Sequence, residues 1–237
     1  MLTTAPTSDL YARALEEYDR AFSGDGAPRP FADRRAKARD AFAALGLPTR
    51  RNEAWKYTDL RPALKADYAF VQGDGTTSLT EADVAGTAIP ELDAARVVLV
   101  NGAFVPALSD LDGLVRATVG SLRESTEHPV VTEHFGRYTD VRTETFAALN
   151  ASFDLDGVFL HVPEGVVVER PIHVVHIIDT DADAFVQSRH LMVFGQHSQA
   201  RIIETQHVRG SAQTFGNHLT EIAVGADAVI DHVRVQD

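Results

Sequence analysis

All ten histidines of the chain lie between positions 128 and 232, so the first chemistry to weigh is metal ligation or proton transfer by imidazole. His173 and His176 stand three apart in an apolar, β-branched run. A strand sends positions i and i+3 to opposite faces, so that pair does not converge. His161, His190 and His218 recur at intervals that stacked strands could bring together. There is no H-x-H pair and no H-E-x-x-H helix, so neither a cupin-like nor a zincin centre is supported. The histidines are expected to be solvent-facing or hydrogen-bonded, and no catalytic, cofactor-binding or metal residue is assigned.

The other reactive types give less. Asp179, Asp181 and Asp183 in IDTDADAF lack the central Gly and closing Glu of an EF-hand calcium loop. No G-x-S-x-G elbow occurs, and GDGTTS lacks the lysine of a phosphate-binding loop. The absence of cysteine removes disulfides, thiolate zinc sites, cysteine nucleophiles and thiolate-held clusters.

A second concentration of functional groups is LPTRRNEAWKYTDL, residues 47–60, where Arg50, Arg51, Glu53, Lys56 and Tyr57 crowd the single tryptophan, Trp55. Indole and phenol bring large apolar area with a polar tip, as anchors at domain or chain contacts do. Locally the stretch reads either as a short helix capped by Thr49 and ended by Pro62, or as a strand with Trp55 and Tyr57 on one face. In both cases Trp55 is expected to be substantially buried and to touch residues outside 47–60.

The elements that would position these groups change texture along the chain. SDLYARALEEYDRAF carries Tyr11, Leu15, Tyr18 and Phe22 at helical spacing behind a candidate cap, Ser8. SGDGAPRP breaks it, and FADRRAKARDAFAALG forms a second helix that Gly46 and Pro48 stop. Asn101-Gly102 between two apolar runs is a hairpin turn signal, because both residues accept positive φ. Helical spacing returns from about 111 to 152. From 157 onward short β-branched runs dominate, with Gly165, Gly195 and Gly225 evenly spaced. Equal spacing of that size suits a β-solenoid; a β-sandwich is the competing arrangement. The last residues stop inside a strand run, where a solenoid would show an open edge, so the expectation is either that the solenoid is cut short there or that a partner or a second copy covers the edge.

The 237 residues suffice for a substantial core, and no apolar run approaches bilayer length. With no secretory leader legible, the cytoplasm is the expected compartment. Residues 1–65 carry twelve Lys/Arg against nine Asp/Glu, and residues 66–237 ten against twenty-five. Such an acidic chain is a poor nucleic-acid binder, although its basic head could face an acidic protein.

Four blocks in order, LPTRRNEAWKYTDL, VVLVNGAFVPALSDL, LNASFDLDGVFLHVPEGVVVERPIHVVH and RHLMVFGQHSQARIIETQHV, resemble the SufB/SufD family of iron–sulfur cluster assembly components, and its SufD branch more than SufB. The family's R-x-x-E-x-W-K-Y-T signature falls on Arg50, Glu53, Trp55, Lys56, Tyr57 and Thr58. The resemblance implies an α+β chain: a mainly helical domain over residues 1–156, with a hairpin near 97–106, then the first coils of a right-handed parallel β-helix over 157–237. It implies a non-enzymatic scaffold without a cofactor, partnered by SufB-like and SufC-like proteins. The open coil edge gives a route to a homodimer through the β-helix, while the acidic charge and the lack of a bilayer-length apolar run point to no nucleic-acid or membrane partner. The family's interface histidine lies beyond position 237, so none of the ten histidines inherits its role. Two rival functions remain: a histidine-dependent solenoid or cupin-like metalloenzyme, and a plain interaction module using the basic head.

Overall fold

The computed structural model describes residues 9–22, 30–153 and 155–236. Ser8 and most of the SGDGAPRP break lie outside the described residues. Two helices open the chain, α1 (Asp9–Phe22) and α2 (Ala32–Leu45), followed by the short helices α3 (Arg61–Leu64), α4 (Glu81–Ala85), α5 (Pro129–His134) and α6 (Thr145–Ala151). The strands are β1 (Ala69–Val71), β2 (Ala95–Val100), β3 (Ala103–Phe104), β4 (Thr118–Ser121), β5 (Val158–Val162), β6 (Ile172–Asp179), β7 (Ala184–Phe194), β8 (Gln199–Arg209), β9 (Thr214–Val224) and β10 (Val229–Val235).

Local chemistry explains the boundaries. Gly46 closes α2 at φ 66° with its N–H on the Phe42 carbonyl, a conformation that favours glycine. Thr80 and Asp83 form a reciprocal capping box on α4. Asn101 and Gly102, at φ 48° and 83°, turn β2 back onto β3, with Val100 opposite Ala103. Asn101 has a further use, since its side-chain amide bonds both backbone groups of Asp179 at 2.9 Å and pins the end of β6.

The strands form two five-stranded sheets. One has the order β1-β7-β5-β4, with β9 on the other edge of β7; the second runs β10-β8-β6-β2-β3. From β5 to β10 successive strands alternate between the sheets, and each pairs in parallel with the next strand of its own sheet. Ala184 lies beside Thr214, Ile172 beside Ile202, and Gln199 beside Val229. The apolar core sits between the sheets and includes Val97, Leu99, Leu160, Val174, Met192, Phe194 and Ile202. A second cluster seats α1, α2 and α6 through Leu10, Phe42 and Leu149 against Phe185.

This architecture corrects the anticipated helical domain on a right-handed parallel β-helix. The fold is a mixed α/β arrangement with two mixed sheets and few helices. Both sheets carry an antiparallel pair, β2 with β3 and β4 with β5, and β1, β2 and β4 share sheets with β5–β10. A regular glycine spacing fixes a parallel register but leaves the number of sheets and their antiparallel members open. What Gly195 and Gly225 do mark is close approach at strand ends, whereas Gly165 takes a positive φ of 68° with open space around it. A Cβ on Gly195 would lie 2.8 Å from the Pro163 carbonyl carbon, and one on Gly225 2.6 Å from Gln196 N. The helical texture of 111–152 condenses into α5 and α6, the remainder being loops and β4. The homodimer expected through a β-helix rested on that picture and lapses with it.

Candidate functional site: a histidine cluster between the sheets

Strand geometry decides which side chains enter the space between the sheets, because alternate residues share a face. On β6 the inward file is Ile172, Val174, His176; on β7, read backwards, it is Phe194, Met192, His190, Ser188. On β8 it is Ala200, Ile202, Glu204. Every file is apolar at one end of the stack and polar at the other. The polar ends meet, with the His176 ring 5.1 Å from that of His190 and 4.9 Å from that of His218 on β9.

Hydrogen bonds tie the cluster together. Glu204 has no exposed surface and accepts from His176 Nε2 at 3.2 Å, His232 Nε2 at 2.6 Å and the Arg234 guanidinium at 2.8 Å. Burial alone would raise its carboxyl, but the bonds from His176 and His232 outweigh burial and hold it below the usual carboxylate range. Across the gap, the Val158 N–H donates to His190 Nδ1 at 2.9 Å. That bond requires a lone pair on Nδ1, so the neutral His190 ring carries its proton on Nε2, which faces Ser188 Oγ at 2.9 Å. The same hydroxyl lies 2.6 Å from His218 Nδ1. Burial, reinforced by His176, lowers His190 to about 3 and His218 well below the imidazole range. Two buried nitrogens are left over: His176 Nδ1 and His218 Nε2 have no hydrogen-bond partner. One nitrogen from each of His176, His190 and His218 lies within 4.8 Å of the others, a set that could hold a metal ion.

His176 and His218 also line a cavity of about 500 Å³ that reaches Trp55, Phe146 and Arg234. Trp55 is half-buried and meets the Phe146 ring edge-on at 5.4 Å. The indole therefore touches a residue outside 47–60, but it is less buried than expected. Its stretch is neither a continuous helix nor a strand, since Glu53–Trp55 form a single 3₁₀ turn. Pro62 opens α3 instead of ending a helix, a position where its missing N–H costs nothing. The remaining signature groups face outward. Tyr57 is 88% exposed under the Lys56 ammonium, Lys56 pairs with Glu53 at 3.2 Å, Arg50 Nε reaches the Lys56 carbonyl, and the Thr58 N–H caps the Trp55 carbonyl.

The set His161, His190, His218 named from spacing is only partly brought together. His161 points out of its sheet toward His128, with ring centroids 6.2 Å apart, while His176 takes the third place. His173 and His176 do face opposite ways, His173 bonding Thr205 Oγ at 2.9 Å. Asp179 and Asp183 do not form a cation loop; Asp179 pairs with Arg209, and Asp183 accepts the Gln213 N–H. The missed member carried a signal. His176 and Glu204 are 28 residues apart, as are Glu204 and His232, which is the parallel register less one face repeat.

The sequence matches one known class of protein. Residues 8–174 match the family model described as the SufBD protein N-terminal region, and residues 176–237 match that of the SUF system FeS cluster assembly SufBD core domain. The chain belongs to the SufBD family. Among individual proteins it is 28% identical over 228 residues to the iron–sulfur cluster assembly protein SufD of Escherichia coli, covering 94% of this chain and 50% of that protein. It is 29% identical over 216 residues to an iron–sulfur cluster assembly SufBD family protein of Synechocystis sp., covering 86% of this chain and 47% of that one. The chain thus spans about half the length of the curated relatives it matches. Among the described residues no helix is long and apolar enough to cross a membrane.

Proposed function

We propose that the chain is a non-enzymatic scaffold component of iron–sulfur cluster assembly that pairs with a SufB-like protein and works with a SufC-like ATPase in the cytoplasm. The observation that carries this reading is the ordered match of both SufBD family regions from residue 8 to residue 237. The physical role is positional. Parallel ladders with an apolar core at one end and a hydrogen-bonded polar network at the other make a stiff body, against which a partner's ligands can be held in fixed geometry. In this reading Arg50, Glu53, Lys56, Tyr57 and Thr58 form a contact surface around Trp55, whose half-buried ring ties that surface to α6 through Phe146. A largely exposed tyrosine under an ammonium suits a contact that a second protein completes.

Affinity capture of the protein co-expressed with SufB-like and SufC-like proteins tests the assignment. Both partners are expected to be retained through size exclusion. Elution of the protein alone, with neither partner present, overturns the reading.

A further inference from the structure

We propose that His176 and His218 bind a divalent transition-metal cation between the two sheets, with Glu204, Ser188 and His190 orienting the two ligating rings. This goes beyond the scaffold reading and does not depend on it, since the site is built from this chain alone.

The argument starts from the two leftover nitrogens. A metal-ligating histidine characteristically gives its other ring N–H to a carboxylate, a carbonyl or a hydroxyl, which fixes the tautomer and the ring plane. His176 has that arrangement: Nε2 on the Glu204 carboxylate at 3.2 Å, and Nδ1 buried without a partner. His218 repeats it, with Nδ1 on Ser188 Oγ at 2.6 Å and Nε2 buried without a partner. One orphaned buried nitrogen costs stability and calls for a reason; here two occur on rings 4.9 Å apart.

His190 completes the geometric triad but is held differently. Because the Val158 N–H occupies Nδ1, coordination through Nε2 would force a proton onto Nδ1 against that N–H donor. While β5 stays in place His190 is therefore a positioning residue: its Nε2–H donates to Ser188 Oγ. With an ion on His218 Nε2, the His218 proton sits on Nδ1 and also donates to Ser188 Oγ, which has two lone pairs for the two rings. One nitrogen of each ring lies within 4.8 Å of one on the other, against about 3.4 Å across a tetrahedral ion with bonds of about 2.1 Å. Closing that gap takes modest ring rotations. The cavity of about 500 Å³ that both histidines line together with Trp55 and Phe146 reaches the two rings, and the same rotations would turn their buried nitrogens toward it.

Imidazole donors suit borderline cations such as Fe²⁺, Co²⁺ and Zn²⁺ over Mg²⁺ or Ca²⁺. Two protein ligands leave coordination positions free for water or an incoming ligand. Such a site would hold an ion in transit more readily than it would lock one in place.

Tag-free protein titrated with Co²⁺ and Zn²⁺ under equilibrium dialysis tests the proposal. One ion per chain is expected, with visible Co²⁺ absorption of a nitrogen-ligated ion and X-ray absorption showing imidazole nitrogen at about 2.0–2.1 Å. His176→Ala and His218→Ala should each abolish stoichiometric uptake. Glu204→Gln should weaken it about 10–100-fold, and His161→Ala and His197→Ala, outside the cluster, should leave it unchanged. Because a core truncation could unfold the chain, the wild-type spectra stand as a separate criterion. Absence of stoichiometric Co²⁺ uptake by wild-type protein, or a bound ion without imidazole scattering, overturns the proposal. So does uptake by folded His176→Ala and His218→Ala equal to wild type. Failure to capture SufB-like or SufC-like partners would leave this result untouched, so the two readings fail separately.

Discussion

Glu221 on β9 offers the sharpest test of how the loop after α5 is fastened to the sheet. Its carboxylate is 1% exposed and accepts three bonds: the Gly136 N–H at 2.9 Å, the Tyr138 N–H at 2.9 Å and the Arg189 guanidinium at 2.8 Å. Arg189, itself 4% exposed, lies over the Phe135 ring at 4.6 Å. Burial presses the guanidinium pKa down, and the Glu221 charge opposes that. Glu221→Gln removes the charge but keeps an amide oxygen for one backbone N–H. It leaves a buried cation unpaired and one N–H unsatisfied. Breaking a buried pair from one side costs about 3–5 kcal/mol, and the orphaned N–H adds to the upper part of that range. We expect a loss of about 4 kcal/mol for Glu221→Gln and about 3 kcal/mol for Arg189→Met, which leaves the carboxylate its two backbone donors. The double variant should lie only about 1–2 kcal/mol below wild type, because the uncompensated cation is gone and one N–H remains unmet.

Urea unfolding followed by far-UV circular dichroism and by Trp55 fluorescence measures all four proteins. With a slope of about 2–3 kcal/mol per molar, the Glu221→Gln midpoint falls by about 1–2 M. Single-variant losses under about 1 kcal/mol, or a double variant whose loss equals the sum of the singles, would refute the account, since coupled partners cannot be additive.

Asp156 holds together the Phe104 N–H at 3.1 Å, the Ser121 hydroxyl at 2.7 Å and the Arg123 N–H at 3.1 Å, so Asp156→Ala should cost about 3 kcal/mol; Asp156→Asn should recover part of it by chemical denaturation. Gly195→Ala forces a methyl to within 2.8 Å of the Pro163 carbonyl carbon and should lower stability by about 1–3 kcal/mol, whereas Gly120→Ala, which meets nothing within 4 Å, should be nearly neutral. Burial lowers His173 to about 4 and His190 to about 3, so below pH about 6.5 the unfolded chain binds protons that the folded chain refuses. Stability present above that pH is then lost as the pH falls, at about 1–2 kcal/mol per histidine between pH 7 and pH 5; a urea midpoint that stays flat over this window rules the mechanism out.

Local signals in the sequence translated well wherever a single residue type dictates backbone geometry. Asn101-Gly102 turned the hairpin and Gly46 closed α2, since positive φ leaves few alternatives. The sheets were less legible. Glycine spacing shows a parallel register but not that β3 and β4 join antiparallel, nor that β1 from the head pairs with β7. The histidine cluster was half visible. His190 and His218 were picked out by interval, whereas His161 was chosen in place of His176 because interval alone ignores face. A register of thirty is even, so it conserves parity: an inward position on one strand is inward on the next of that sheet. Leu160 and Val162 face the core and His161 between them cannot, while His176, His190, His218 and His232 all share the inward parity. Interval and parity together would have found the set; the second requires knowing that both sheets enclose the same space.

The inward files also argue about why a core tolerates this cluster. Ile172 and Val174 precede His176, and Met192 and Phe194 flank the file that ends in His190, so continuing the apolar packing was physically available. A buried polar network is tolerated when every member is satisfied, and most of this one is: Glu204 has three donors and His190 two partners. A network selected for rigidity alone would satisfy His176 Nδ1 and His218 Nε2 as well, since each unmet nitrogen subtracts from the stability the network provides. Leaving two lone-pair sites bare, on neighbouring rings that both line the cavity reaching Trp55, is the pattern expected where stability is given up for a ligand. The tryptophan stretch and the histidines, which looked independent in sequence, are in that sense two walls of one chamber.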